Sequence, residues 1–230
     1  MRKNVKQQLA LRVLSTAALM AMVSSIATAA FADTYDLNKG SVTVKTKEDG
    51  ITYVTQENTE INDHQDDTGV TITSYGKQTE NTITVDTAKD QTTDVTLQDV
   101  HIETESSWNN TGSAPIEIKG DGDTNLELNG DNTVLSGDRY HAAIEKADKN
   151  GHGTLTIKDD LNDDNSTPKD KDENGNAVGG DTGKLLAGGY GDGAGIGGGS
   201  SSSNDLADTS NITIKGGEVT ARGGYEDGAG

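Results

Sequence analysis

The repetition of very short alternating runs constrains this chain more than any other feature. Ser41-Val42-Thr43-Val44-Lys45, Ile51-Thr52-Tyr53-Val54, Val70-Thr71-Ile72-Thr73 and Thr82-Ile83-Thr84-Val85 are the first four. Val95-Thr96-Leu97, Val100-His101-Ile102, Ile116-Glu117-Ile118 and Leu126-Glu127-Leu128 follow, then Leu155-Thr156-Ile157, Ile212-Thr213-Ile214 and Val219-Thr220-Ala221. Each alternates an apolar residue with threonine or another polar one, the period of a half-buried strand. Gly, Asn or Asp, the turn formers, bound each run. No amphipathic helical pattern stands beside them. The low apolar content and high charge of the chain also fit disorder. Disorder does not require apolar residues to gather into alternating runs, so an all-β fold is expected.

The interior of that fold has few materials. Outside Phe31 the aromatic residues are Trp108 and six tyrosines, and there is no cysteine. Val, Ile, Leu, Ala and Thr must therefore fill the core. Burial, hydrogen bonding or metal must hold it without disulfides. Near the C-terminus Gly188-Gly189-Tyr190-Gly191-Asp192-Gly193-Ala194-Gly195 returns as Gly223-Gly224-Tyr225-Glu226-Asp227-Gly228-Ala229-Gly230. Many short strands, small core residues and a direct repeat predict a solenoid: a right-handed parallel β-helix whose coils stack like upon like. Glycines suit its corners, where φ is positive or backbones approach closely. An antiparallel sandwich is the alternative that strand pattern allows. Residues 159–183 and 200–210, rich in Asp, Asn, Ser and Gly, read as polar loop insertions.

The N-terminus carries Arg2, Lys3, Lys6 and Arg12 without an acid, then an apolar run over 13–23, then Ala30-Phe31-Ala32. That order predicts a secretory signal peptide over 1–32, cleaved after Ala32. The run is too short for a membrane span, which takes about 20 residues. Residues 1–32 hold four of the 19 basic residues and none of the 38 acids, so their removal takes the net charge from −19 to −23. Such a surface repels nucleic acid and anionic lipid and attracts divalent cations. One domain is expected over 33–230. Because the repeated motif breaks off at Gly230, the sequence reads as truncated at its C-terminus.

Several segments occur in a familiar order. Tyr35-Asp36-Leu37-Asn38-Lys39-Gly40 is followed by Leu126-Glu127-Leu128-Asn129-Gly130-Asp131-Asn132-Thr133-Val134-Leu135 and Ala142-Ala143-Ile144-Glu145. Then come Asp192-Gly193-Ala194-Gly195-Ile196-Gly197-Gly198-Gly199 and Ile212-Thr213-Ile214-Lys215-Gly216-Gly217-Glu218-Val219-Thr220-Ala221. In these blocks the chain resembles the secreted carbohydrate-binding domain-containing proteins of Gram-positive bacteria. The resemblance implies a calcium-containing parallel β-helix that binds acidic plant polysaccharide of the polygalacturonate type. These blocks are repeat-structure motifs, so they imply fold and location more firmly than ligand.

One segment has the spacing of a calcium loop. Asp170, Asp172 and Asn174 would offer side-chain oxygens, Gly175 the sharp turn, Asn176 its carbonyl, and Asp181 the closing carboxylate. The closing residue is Asp where Glu is usual, no helices flank the loop, and a solvated acidic loop is the plain alternative. Asp148 to Asp159 fits more loosely, with His152 where an oxygen ligand belongs. Asp121, Asp123 and Asp131 form a third acidic group. The glycines of 188–199 lack the Lys-Ser/Thr ending of a phosphate loop and read as coil corners, with Ala194 and Ile196 pointing inward.

Catalysis finds little support. Lyases with this kind of fold often use an arginine base, and Arg139-Tyr140-His141 is the one cluster that offers it, a surface turn being its plain reading. Trp108, Tyr190 and Tyr225 could stack on sugar rings, and Lys119, Lys146 and Lys215 could meet sugar carboxylates. The expectation is a secreted or cell-surface module that binds acidic polysaccharide through calcium without cleaving it. A structural adhesin stalk with no small ligand is the second reading, and a calcium-dependent lyase the third.

Overall fold

The computed structural model describes residues 33–66, 69–106, 112–146, 153–161, 168–171, 177–178, 180, 182–199 and 209–225. Among them the regular structure is β, with a single 3-10 turn at Leu37–Lys39 and no α-helix. Three sheets carry the fold. The first orders its strands as Asp33–Asp36, Val70–Thr73, Thr92–Gln98, Asp123–Asn129, Leu155–Lys158 and Ile212–Ile214. The second runs Ile196–Gly197, Ile144–Lys146, Ile116–Lys119, Ile83–Thr87 and Val42–Thr46, then continues into Thr52–Gln56 and His64–Asp66. The third orders Glu218–Arg222, Lys184–Gly188, Asp131–Leu135, His101–Glu103 and Gln78–Thr79.

Every pairing in the first and third sheets is parallel. The second sheet is parallel up to Val42–Thr46, where two antiparallel pairings cover that edge. From Val70 on, the chain enters the first, third and second sheets in strict rotation. A sandwich rests on antiparallel neighbours throughout, and in these three sheets only the two pairings at that one edge are antiparallel.

The register explains why short alternating runs suffice. In the second sheet Val42, Ile83, Ile116, Ile144 and Ile196 stand in line across five strands. In the first sheet Val70, Val95, Leu126, Ile157 and Ile214 align, and beside them Tyr35, Ile72, Leu97 and Leu128. The third sheet aligns Thr79, Ile102, Val134, Ala187 and Ala221. The buried members of these rows join into one contiguous core from Tyr35 to Ala187, while Ile214 at the end of its row is 53% exposed. β-branched and small side chains fit such rows because each meets its like one strand spacing away, about 4.8 Å. Ala194 is buried and Ile196 packs against the core, as expected for 188–199.

Polar groups inside the stack are satisfied in kind. Thr52, Thr46, Thr93, Thr87 and Thr124 form an unbroken line of hydroxyl–hydroxyl hydrogen bonds of 2.9, 2.6, 2.7 and 3.1 Å. The buried Asn132 amide donates to the carbonyls of Asn129 and Lys184, and its oxygen accepts from the Val100 N–H. Between the second and first sheets the chain turns at Gly120, φ +84°, where a Cβ would lie 2.1 Å from the Thr87 carbonyl oxygen.

Two expectations are refined. The segment 159–183 is not wholly loop, because Asp170–Lys171 pairs antiparallel with Ala177–Val178. The third sheet also holds strands that the alternating runs do not announce, above all Lys184–Gly188.

Candidate functional site

The connections from the third sheet to the second lie at 80–82, 104–115, 136–143 and 189–195, and 223–225 follow the last described strand of the third sheet. Because the strands are stacked in register, these connections share one edge of the stack. They bring together Arg139-Tyr140-His141, Tyr190 and Tyr225, which lie far apart in sequence. Hydrogen bonds cross from one connection to the next. The Gly112 N–H donates to Asp138 Oδ2 at 3.1 Å, and the Tyr140 N–H donates to Asp138 Oδ1 at 2.8 Å. Arg139 Nε donates to Asp192 Oδ2 at 3.1 Å, while the Asp192 N–H donates to the Arg139 carbonyl at 2.9 Å. The Gly224 N–H donates to the Gly193 carbonyl at 3.0 Å. Asp138 is fully buried, so its carboxylate works as an internal tie. Tyr190 is half-buried, and Tyr225 is almost wholly exposed at 97%.

His141 is the titratable centre of this edge. Its Nδ1 lies 2.9 Å from Glu145 Oε2, which also accepts the Ala142 N–H at 3.1 Å. The hydrogen bond to Glu145 raises the imidazole above its ordinary value; burial opposes it, and the charges of Glu145, Asp138 and Glu117 reinforce it. A raised histidine stabilises the fold fully below about pH 6.5, its ordinary value, and that stability is lost as pH rises through the folded value. The midpoint of urea unfolding should therefore decrease as pH is raised from about 6.5 into the alkaline range. In His141→Gln the fall should be smaller, and an equal fall in both proteins would count against the pair.

The residues singled out in sequence scatter over several places. Lys119 is exposed and paired with Glu117 at 2.7 Å. Lys146 is buried at 4% exposure, which keeps it from a ligand on the surface, and its backbone carbonyl accepts the Thr209 hydroxyl. Lys215 is exposed at the end of the first sheet. Trp108 lies outside the described residues, as do Asp172, Asn174, Asn176 and Asp181. The backbone of Asp170 is described, within its short strand. Of the looser loop, Asp148 and His152 are outside the described residues, while Asp159 is tied to Lys169 at 2.7 Å. Asp121 and Asp123 line a hollow of about 270 Å³ with Lys89 and Asp90. Asp131 stands apart in the third sheet, 3.2 Å from Lys184. Among the described residues no three His, Cys, Asp or Glu side chains are grouped to hold a metal.

A second cluster went unnoticed in the sequence. On the outward face of the first sheet Lys158 Nζ lies 3.9 Å from Asp94, Glu127 and Asp160 alike. Glu127 is 3% exposed, with Oε1 accepting the Leu161 N–H at 2.7 Å and Oε2 lacking a hydrogen bond. Burial pushes its carboxyl up, against the pull of the Leu161 N–H and the Lys158 charge. Asp94 also borders a hollow of about 310 Å³ with Asp66, Thr52 and Thr92. The only signal in the sequence was the polar middle of Leu126-Glu127-Leu128, which reads as ordinary alternation.

No family model, curated protein or solved structure matches this chain. Among the described residues no helix is long and apolar enough to cross a membrane.

Proposed function

We propose that this chain is an exported parallel β-helix that binds an acidic polysaccharide and does not cleave it. The rotation of the chain through three sheets supports the solenoid. Its right-handed form follows from the near-universal hand of parallel crossovers. The basic head, short apolar run and Ala-x-Ala site support export. The observation that carries the function is the edge that gathers Arg139, Tyr140, His141, Tyr190 and Tyr225 from separate connections. Side chains gathered along one edge suit a linear polymer, and tyrosine rings offer an apolar face with a polar tip. Arg139 is bonded to Asp192, which suits it to positioning and not to proton abstraction.

With residues 1–32 removed the chain stands at −23, and it meets a polyanion only if cations screen or bridge the two. The bridge proposed is calcium shared between protein and sugar carboxylates, with the segment from Asp170 to Asp181 as one source of oxygens. The test is a glycan array in calcium, repeated in chelator, with polygalacturonate as the reference acid. Binding should appear in calcium, vanish in chelator and weaken at high salt. Tyr225→Ala should weaken it about tenfold, in line with loss of one stacking contact worth about 1.4 kcal/mol. Binding that survives chelation would reject the bridge, and unsaturated sugar ends would reject the non-enzyme reading. Silence on every glycan would favour the stalk.

A further inference from the structure

The first sheet carries a charged pair where its inner row calls for an apolar side chain. Leu126 pairs with Ile157 and Glu127 with Lys158, so continuing the register sets Asp159 level with Leu128. Leu128 itself aligns with Leu97, Ile72 and Tyr35. A Cβ at Gly217 would lie 2.8 Å from Leu128 Cδ1 and 3.7 Å from Asp159 Cβ, which puts both side chains against the same point of the next strand's approach. Asp159 Oδ1 there accepts a hydrogen bond from Lys169 Nζ at 2.7 Å, and the two side chains are 8% and 3% exposed. The backbone holds them in place. The Lys169 N–H donates to the Asp160 carbonyl at 2.7 Å, and Leu161 bridges antiparallel to Pro168.

Removing an ammonium and a carboxylate from water costs several kcal/mol for each ion, and one good contact recovers only part of it. Condensing the two into an amide removes both charges. Two groups held in contact also react at an effective concentration far above any attainable in solution, about 10⁵ M or more when well oriented. We propose that Asp159 and Lys169 join through an isopeptide bond. A proton crosses the hydrogen bond from Nζ to the carboxylate. The freed Nζ lone pair attacks Cγ, the Nζ–Cγ bond forms, and the Cγ–OH bond breaks. The leaving hydroxyl takes the second proton from nitrogen and departs as water. No oxidant or cofactor is needed. The product closes the loop between residues 159 and 169 covalently in a chain without cysteine.

The test is the intact mass of the purified full-length protein under denaturing conditions, compared with the mass its own N-terminal sequence requires. The expected mass is lower by one water. Peptide mapping should give one branched peptide joining Asp159 to Lys169, with no tryptic cleavage after Lys169. Lys169→Arg keeps the charge but cannot form this bond, and it should show its full sequence mass. Wild-type protein at full mass, or a lost water mapped to another pair of residues, would overturn the proposal.

Discussion

Ile116→Ala will lower the free energy of unfolding by about 2–5 kcal/mol, the range for truncating a buried isoleucine. Ile116 is fully buried and sits mid-row between Ile83 and Ile144. Its neighbours are branched or small and are fixed in register by the backbone on both sides, so they cannot swing in to refill the space. Among the described residues the core holds no large ring apart from Tyr35 that could collapse onto the gap. Urea unfolding followed by circular dichroism measures the effect. A loss below about 1 kcal/mol would mean that the row relaxes freely, contrary to close packing.

Gly120→Val should cost more than the backbone angle alone can explain. A non-glycine residue forced into a left-handed conformation costs about 1–2 kcal/mol. At Gly120 the new Cβ must also displace the Thr87 carbonyl, which accepts the Gly122 N–H at 3.0 Å. The expected loss is at least about 3 kcal/mol. Gly76→Ala is the control, because its φ is +68° and nothing lies within 4 Å of the added Cβ. It should lose only the dihedral cost. Equal losses in the two variants would refute the steric account of the corner.

The strands that alternation announces are those whose two faces differ. Val42–Thr46 buries Val42, Val44 and Thr46 and exposes Thr43 and Lys45, so period two is plain in the sequence. Lys184–Gly188 is a strand of equal length, but its Leu185-Leu186-Ala187-Gly188 stretch has no polar outward residue to mark the period. Ile196–Gly197 and Gln78–Thr79 are too short to carry any pattern. The gathering of Arg139, Tyr190 and Tyr225 on one edge depends on circuit length. The sequence repeat has an offset of 35, whereas Gly188 aligns with Arg222 in the third sheet, so the repeat alone misplaces the partners by one. Glu127 was hidden for another reason. An outward residue becomes buried only when a later segment, here that of Leu161, folds over it.

The line of threonines from Thr52 to Thr124 does more than satisfy buried hydroxyls. Each hydroxyl has a single proton to give, so four links take the protons of four of the five threonines, and every link points toward the one that does not donate along the line. The line also passes back and forth between the second sheet, with Thr46 and Thr87, and the first, with Thr93 and Thr124. Aliphatic rows tolerate sliding, because valine against isoleucine packs nearly as well as isoleucine against isoleucine. A slip of two residues along any of these strands would keep every side chain on its own face but move a hydroxyl out of line and strand its neighbours without a bond. The threonine line thus acts as a vernier: greasy rows bring the strands together, and the hydroxyls admit one setting.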